Sequence, residues 1–137
     1  MTTYFISGHL DLTPEEFEEH YVPHLERALA GDAGVRAGVA FVVGDAPRGA
    51  DRMAQDWLVA RGVAHRLTVY HMLVTARYAV DEARCSGGFR SDGERDRALT
   101  MDSDVDIAWV RPGREDSGTA RNLKRRAKCS ASKTPSL

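Results

Sequence analysis

The stretch Phe41-Val42-Val43-Gly44-Asp45-Ala46-Pro47-Arg48-Gly49-Ala50-Asp51 decides how the chain folds. An apolar run over residues 40–43 ends at a glycine and crosses a turn rich in Gly, Pro and Asp. It then enters a pattern with Met53, Ala54, Trp57 and Leu58 at helical spacing. That order reads as a strand, a tight loop and a helix. In an open α/β sheet such a loop lies at the carboxyl end of a strand, where N–H groups at the start of a helix face whatever binds. A phosphate or a carboxylate suits the place. A plainer reading stands beside it, in which Gly44 and Gly49 only permit the turn.

Working outward toward the N-terminus, residues 4–7 form a short apolar segment that stops at Gly8-His9. Thr13-Pro14-Glu15-Glu16 is a capping box with proline at the first helical position, so a helix starts there. Phe17, Tyr21, Leu25 and Leu29, spaced by four, give it one apolar stripe as far as about Ala30. Pro23 lies inside it and predicts a bend or a break.

Toward the C-terminus, the helix from Ala50 ends at Gly62, a left-handed cap, and residues 63–70 alternate as a third strand. Residues 71–88 read as a helical turn or two, closing at Cys85-Ser86-Gly87-Gly88. Ser91 or Asp92 caps a helix through Met101, residues 105–110 form a late strand, and residues 112–118 form a loop. A last helix covers residues 119–128, and the Ser, Thr and Pro after it describe a disordered end.

Strands alternating with helices predict the α/β class: a single three-layer domain over residues 1–126, with a mainly parallel sheet of four to five strands and helices on both faces. Residues 127–137 form a basic tail. At the carboxyl ends of the strands three loops converge, residues 7–11, 44–51 and 111–119.

The composition agrees with one globular domain of 137 residues, 42% of them apolar and 28% charged. No apolar run approaches the roughly eighteen residues of a membrane span, and the first residues lack a signal pattern, so a cytoplasmic location is expected and no membrane partner. The histidines and the two cysteines fall in no metal-ligand spacing, and neither a metal nor a structural disulfide is expected. Asp102, Asp104 and Asp106 resemble a carboxylate cluster, but alternation into the strand sends some of them to solvent. The formal charge of −1 conceals an asymmetry: six of the nineteen Lys and Arg follow Ala120, where no acid occurs, leaving −7 on the rest. Such a tail suits nucleic acid or a neighbouring subunit, or is a solvated end.

Gly44-Asp45-Ala46-Pro47-Arg48-Gly49-Ala50-Asp51 resembles the Gly-Gly-Ala-Arg-Gly-Ala-Asp loop of the SLOG superfamily of Rossmann-like domains, especially a small bacterial branch of unknown function related to the DNA-processing protein fold. Residues 88–98, with Arg95-Asp96 in place of the family's Arg-Asn, and residues 106–113 followed by Ser117-Gly118-Thr119, resemble its later segments. The likeness covers most of residues 4–126. It implies a pocket for a nucleotide or nucleotide derivative and a sheet of order 3-2-1-4. More distant relatives, the cytokinin-activating phosphoribohydrolases, cleave the bond between a base and ribose 5′-monophosphate, and nucleoside deoxyribosyltransferases are similar in architecture. Those hydrolases carry a Glu shortly after the Gly-Thr of the last loop. Here Ala120, Arg121 and Asn122 follow, and Arg114-Glu115-Asp116 lengthen the loop.

The candidate ligand site comprises Ser7, Gly8 and His9 of the first loop, Gly44, Asp45, Arg48, Gly49 and Asp51 of the second, Arg95, and Gly113, Ser117, Gly118 and Thr119 of the last. Ser117 to Thr119 offer N–H groups and two hydroxyls for a phosphate, or Ser117 or Thr119 caps the last helix. Arg48 and Arg95 form a bidentate clamp or surface ion pairs. Asp45 and Asp51 accept from ribose hydroxyls or act on a glycosidic bond, unless Asp51 caps its helix. His9 contacts the ligand or packs as a loop residue.

The function expected first is binding of a nucleotide or nucleoside-phosphate derivative, with no cofactor required beyond a bound nucleotide. The alternative is an N-glycosidase, phosphoribohydrolase or deoxyribosyltransferase using Asp45 or Glu115. A third is an interaction module using the basic tail on nucleic acid. A homodimer is a candidate assembly.

Overall fold

The computed structural model describes residues 1–30 and 38–133. Five parallel strands, β1 (Thr3–Ser7), β2 (Ala40–Gly44), β3 (Leu67–Met72), β4 (Arg84–Phe89) and β5 (Val105–Ala108), form one sheet in the order β4-β3-β2-β1-β5. Phe5 sits opposite Val42, and Ile6 opposite both Val43 and Ile107. With a period of two, this register turns Ile6, Phe41, Val43, Leu67 and Val69 to one core and Phe5, Val42 and Tyr70 to the other.

The first core is covered by α1 (Pro14–His20), α2 (Val22–Ala30) and α3 (Ala50–Ala60), through Phe17, Tyr21, Leu25, Ala54 and Leu58. The capping box at Thr13 and Glu16 forms as read. The helix breaks at Tyr21, whose N–H still reaches the Phe17 carbonyl. Pro23 then falls in the first turn of α2, where its missing N–H costs no intrahelical bond. The Gly31-Asp32-Ala33-Gly34 segment that comes next in the sequence lies outside the described residues. Beyond α3, Gly62 takes a φ of +71°, as a left-handed cap requires.

The second core is covered by α4 (Asp92–Met101), capped by Ser91, and by α5 (Gly118–Lys133). Leu99 packs there with Phe5, Val42 and Tyr70. Helices therefore lie on both faces of a parallel sheet, which is the three-layer α/β architecture expected.

Two expectations need correction. The order 3-2-1-4 holds for the four strands read from sequence, but residues 71–88 supply a fifth strand rather than helical turns. Leu73 stands at a φ of +51°, which stops β3, and Gly87 of β4 lies against the His71 ring where a Cβ would overlap it. β4 is a mostly exposed edge, so no apolar alternation announces it. The last helix also runs past Lys128 to Lys133, taking in much of the tail read as disordered. Leu123 to Lys128 are strong helix formers, and Pro135 is the next breaker. Residues 134–137 lie outside the described residues.

The three late aspartates separate. Asp102 accepts from the Tyr70 hydroxyl at 2.6 Å, Asp104 from the Thr3 N–H at 2.8 Å, and Asp106 pairs with Arg126 at 3.2 Å. Among the described residues no helix is long and apolar enough to cross a membrane.

Candidate functional site

The chain passes to one side of β1 through β2, β3 and β4, and to the other side with β5. The strand order therefore reverses beside β1, and at the carboxyl ends there lies a cleft of about 560 Å³. Two buried contacts hold its floor. The Tyr21 hydroxyl donates to the Ser7 carbonyl at 2.7 Å and accepts the Trp109 N–H at 3.1 Å, joining β1 to the segment after β5. On the other face Ser7 Oγ and Thr119 Oγ1 are 2.7 Å apart, joining β1 to α5.

Ser7, Gly8 and His9 all line the cleft, as expected. The His9 ring is buried and edge-on to Trp109, and its Nε2 accepts the Arg111 N–H at 2.9 Å. That bond places the ring proton on Nδ1. Burial, then the nearby Arg114 and Arg111, lower its pKa, so His9 is a neutral packed residue that fixes the last loop.

In the central loop Gly44 and Asp51 line the cleft, whereas Asp45, Arg48 and Gly49 do not. Gly49 has a φ of +75°, and a Cβ there would overlap the His9 and Leu10 carbonyls, so its job is to let two loops touch. Arg48 is exposed and takes no part in a clamp around the cleft. Arg95 does line the cleft, as do Arg114, Arg121 and Arg77, the last from the segment misread as helical.

Asp45 is 1% exposed and locked. It accepts from the Arg77 backbone at 2.8 Å, from the Arg77 guanidinium at 2.8 Å and 3.3 Å, and from Arg95 at 3.1 Å. Burial opposes its ionisation, yet the bonds from Arg77 outweigh burial and hold its carboxyl below the usual range. A carboxylate so fully engaged has no lone pair turned to a substrate. The catalytic role expected for Asp45 is thus replaced by a structural one.

Asp51 contrasts with it. It does not cap α3, whose cap is Gly49 without a side-chain bond; instead it accepts the Ala46 N–H at 3.2 Å. Gly44 leaves it room, since a Cβ there would stand 2.7 Å from its Oδ2. Loss of water pushes its pKa up to about 6, the Ala46 N–H and Arg95 opposing. Arg95 is buried beside it, 3.3 Å from Asp92 and 3.4 Å from Asp96 as well as 3.1 Å from Asp45. Asp96 also lines the cleft, and burial raises its pKa.

The last loop brings Gly113, Ser117, Gly118 and Thr119 to the cleft. Arg111 anchors it, donating to Glu16 at 2.6 Å and to Asp11 at 3.2 Å, and Arg114 pairs with Asp11 at 3.3 Å. Glu115 is exposed and accepts the Gly113 N–H at 3.2 Å. It is a turn residue, not a carboxylate in the cleft. Ser117 caps α5: its Oγ accepts the Ala120 N–H and its carbonyl the Arg121 N–H. That leaves the N–H groups of Gly118 and Thr119 without an intrahelical partner at the cleft wall.

Sequence reasoning missed Tyr21, Arg77, Asp96 and Gln55. Tyr21 was visible only as one member of an apolar stripe. Gln55, fully buried, donates to the Tyr78 carbonyl at 3.1 Å and accepts the Val80 N–H at 3.0 Å, so it secures the segment carrying Arg77. A signal existed for Asp96, the Arg95-Asp96 pair, but none for Arg77. Comparison with protein-family models, with curated proteins and with solved structures gives no match for this chain.

Proposed function

We propose that the cleft binds a nucleotide or nucleoside-phosphate derivative, as the likeness of its loops to the SLOG superfamily implies. One observation carries the reading: the first turn of a sixteen-residue helix, with the Gly118 and Thr119 N–H groups unengaged by the helix, opens into a cleft at the reversal of strand order. The phosphate sits at residues 117–119, and the sugar lies toward Gly44 and Asp51. Arg114 and Arg121 at the same wall add positive charge. The test is a thermal-shift screen against nucleosides, mono- and diphosphates, NAD and ADP-ribose, since a ligand of the folded state raises the melting temperature. The variant Gly118→Asp separates binding from folding. A Cβ at Gly118 meets nothing closer than Arg121 at 3.8 Å, and an acid in the first turn favours the helix while repelling a phosphate. Stabilisation by phosphorylated ligands that is lost in Gly118→Asp supports the site; flat curves throughout refute it.

The position of Asp51 favours a second reading, an N-glycosyl hydrolase or transferase. Its carboxylate faces the cleft and has a pKa of about 6, a setting for general acid or base work near neutrality. Under this reading Asp51→Asn abolishes release of free base from a nucleoside monophosphate and Asp45→Asn acts through stability. Equal turnover in wild type and Asp51→Asn refutes it.

A further inference from the structure

Seven of the sixteen arginines are matched to acids among the described residues. Arg52, Arg61, Arg77, Arg95, Arg111, Arg114 and Arg126 each lie within ion-pair distance of a carboxylate. Several cations without an ion pair gather on one face. A groove of about 450 Å³ between α4 and α5 is lined by Arg97 and Met101 from α4 and by Arg121, Lys124, Arg125, Lys128 and Cys129 from α5. It has five cations and no carboxylate in its lining, on a chain of formal charge −1.

Among the described residues, no carboxylate lies within ion-pair distance of Arg97, Arg121, Lys124 or Arg125. The side-chain contacts that Arg121 and Arg125 do make are with neutral groups. Arg121 donates to the Asp116 carbonyl at 2.7 Å, and Arg125 to the Asn122 side chain at 2.7 Å. The charge of Arg125 is partly offset by Asp96, on whose carboxyl it acts, whereas Arg121 bonds no acid side chain. Met101, 64% exposed, lies between the charges and gives the groove an apolar floor, to which the aliphatic stems of the cations contribute.

We infer that this groove binds single-stranded nucleic acid, with phosphates on the cationic rim and bases against Met101 and the guanidinium planes. Charge complementarity selects a polyanion, because five cations along two adjacent helices, with no carboxylate in the groove lining, attract repeated phosphates rather than one. The apolar floor selects a strand with accessible base faces. Arg121 belongs to the walls of both the groove and the cleft, so a bound strand runs toward the nucleotide-sized cleft. The inference stands apart from the reading of that cleft and does not require it.

The test is fluorescence anisotropy of the full chain with labelled oligothymidylate and oligouridylate of about twenty nucleotides, at about 50 mM salt and then at rising salt. Either strand binding supports the inference, and the tighter of the two identifies DNA or RNA as the ligand. The double variant Arg97→Glu, Lys124→Glu changes two exposed positions and leaves the cleft lining untouched. It loses at least tenfold in affinity, and the slope of log K against log salt becomes shallower by about 1.4, from two phosphates released at about 0.7 each. Because the double variant leaves the cleft lining untouched, it retains any nucleotide-induced stabilisation, which keeps failure of the cleft reading distinct from failure of this one. Circular dichroism melting of each variant shows whether it is folded, and a single Lys124→Glu replaces the double variant if that one melts early. No binding of either strand at low salt overturns the inference. So do duplex DNA bound as tightly as single strands, unchanged affinity after charge reversal in a folded variant, and binding confined to vesicles containing phosphatidylserine.

Discussion

Ser7 Oγ and Thr119 Oγ1 approach to 2.7 Å in a buried setting although 112 positions separate them in the chain. The contact crosses the reversal of strand order and ties the end of β1 to the first turn of α5. Removing one hydroxyl leaves the other buried without this partner, so Thr119→Val costs about 1–3 kcal/mol. The double variant Ser7→Ala, Thr119→Val costs less than the sum of the single changes, because the second change removes the orphan left by the first. Urea unfolding of the four proteins gives the coupling; strictly additive losses would show that the two hydroxyls do not depend on each other.

Asp51 makes stability fall as pH rises through the weakly acidic range. Its pKa is raised from 3.8 to about 6 by burial, so between those values the folded state binds more protons than the unfolded state. The contribution is full at lower pH, is lost progressively from about pH 4 to 6, and is absent above. Asp96 and Asp106, raised by burial, add in the same sense. Asp45, held low by Arg77, acts in the opposite sense, stabilising above the usual carboxylate range and failing as pH drops below it. In Asp51→Asn the amide oxygen still accepts the Ala46 N–H, and part of the decline disappears. Urea midpoints at about pH 4.5 and 6.5 test this: the variant gains on the wild type at the higher pH. A difference between the two proteins that does not change with pH removes Asp51 from the titration.

The layers of the fold were legible because burial left a period in the chain. Ile6, Phe41, Val43, Leu67 and Val69 alternate along strands, and Phe17, Tyr21 and Leu25 recur by four. β4 left no such trace, since an edge strand of small and exposed residues buries little. The cleft was legible in outline, from glycines and hydroxyls at strand ends, but the division of labour within it was not. Asp45 and Asp51 look alike in sequence. Only the position of Arg77, carried by a loop without periodicity and held by Gln55, makes the first a buried ion-pair partner and leaves the second facing the cleft.

Gly49 and Gly62 separate two costs of replacing a glycine. Both take positive φ, +75° and +71°, so alanine at either bears a backbone penalty of about 1 kcal/mol. At Gly62 nothing lies within 4 Å of a new Cβ, and the penalty ends there. At Gly49 the methyl overlaps the His9 and Leu10 carbonyls and drives the first two loops apart. Gly49→Ala therefore costs several times more than Gly62→Ala and also weakens any ligand of the cleft, as thermal melts with and without ligand record. Equal losses would mean that the two loops part without resistance.

Tyr21 carries the opposite staple to Ser7 and Thr119, and its phenol stays protonated because burial raises its pKa. The hydroxyl donates to the Ser7 carbonyl and accepts the Trp109 N–H, so Tyr21→Phe strands two backbone groups while keeping the ring stacked on Phe17 at 5.5 Å. The lost bonds and the unsatisfied groups together cost about 2–3 kcal/mol. Where the cost appears is more telling than its size. Ile6 and Ile107 still pair β1 with β5 through their backbones, so the sheet persists and the loosening falls on the residues past the strand ends. Hydrogen exchange at the Trp109 amide should accelerate far more than at Ile107, and nucleotide-induced stabilisation should shrink while strand binding in the α4 and α5 groove does not. Uniform acceleration across β1 and β5 would instead mean that the hydroxyl supports the whole sheet rather than the reversal point beside the cleft.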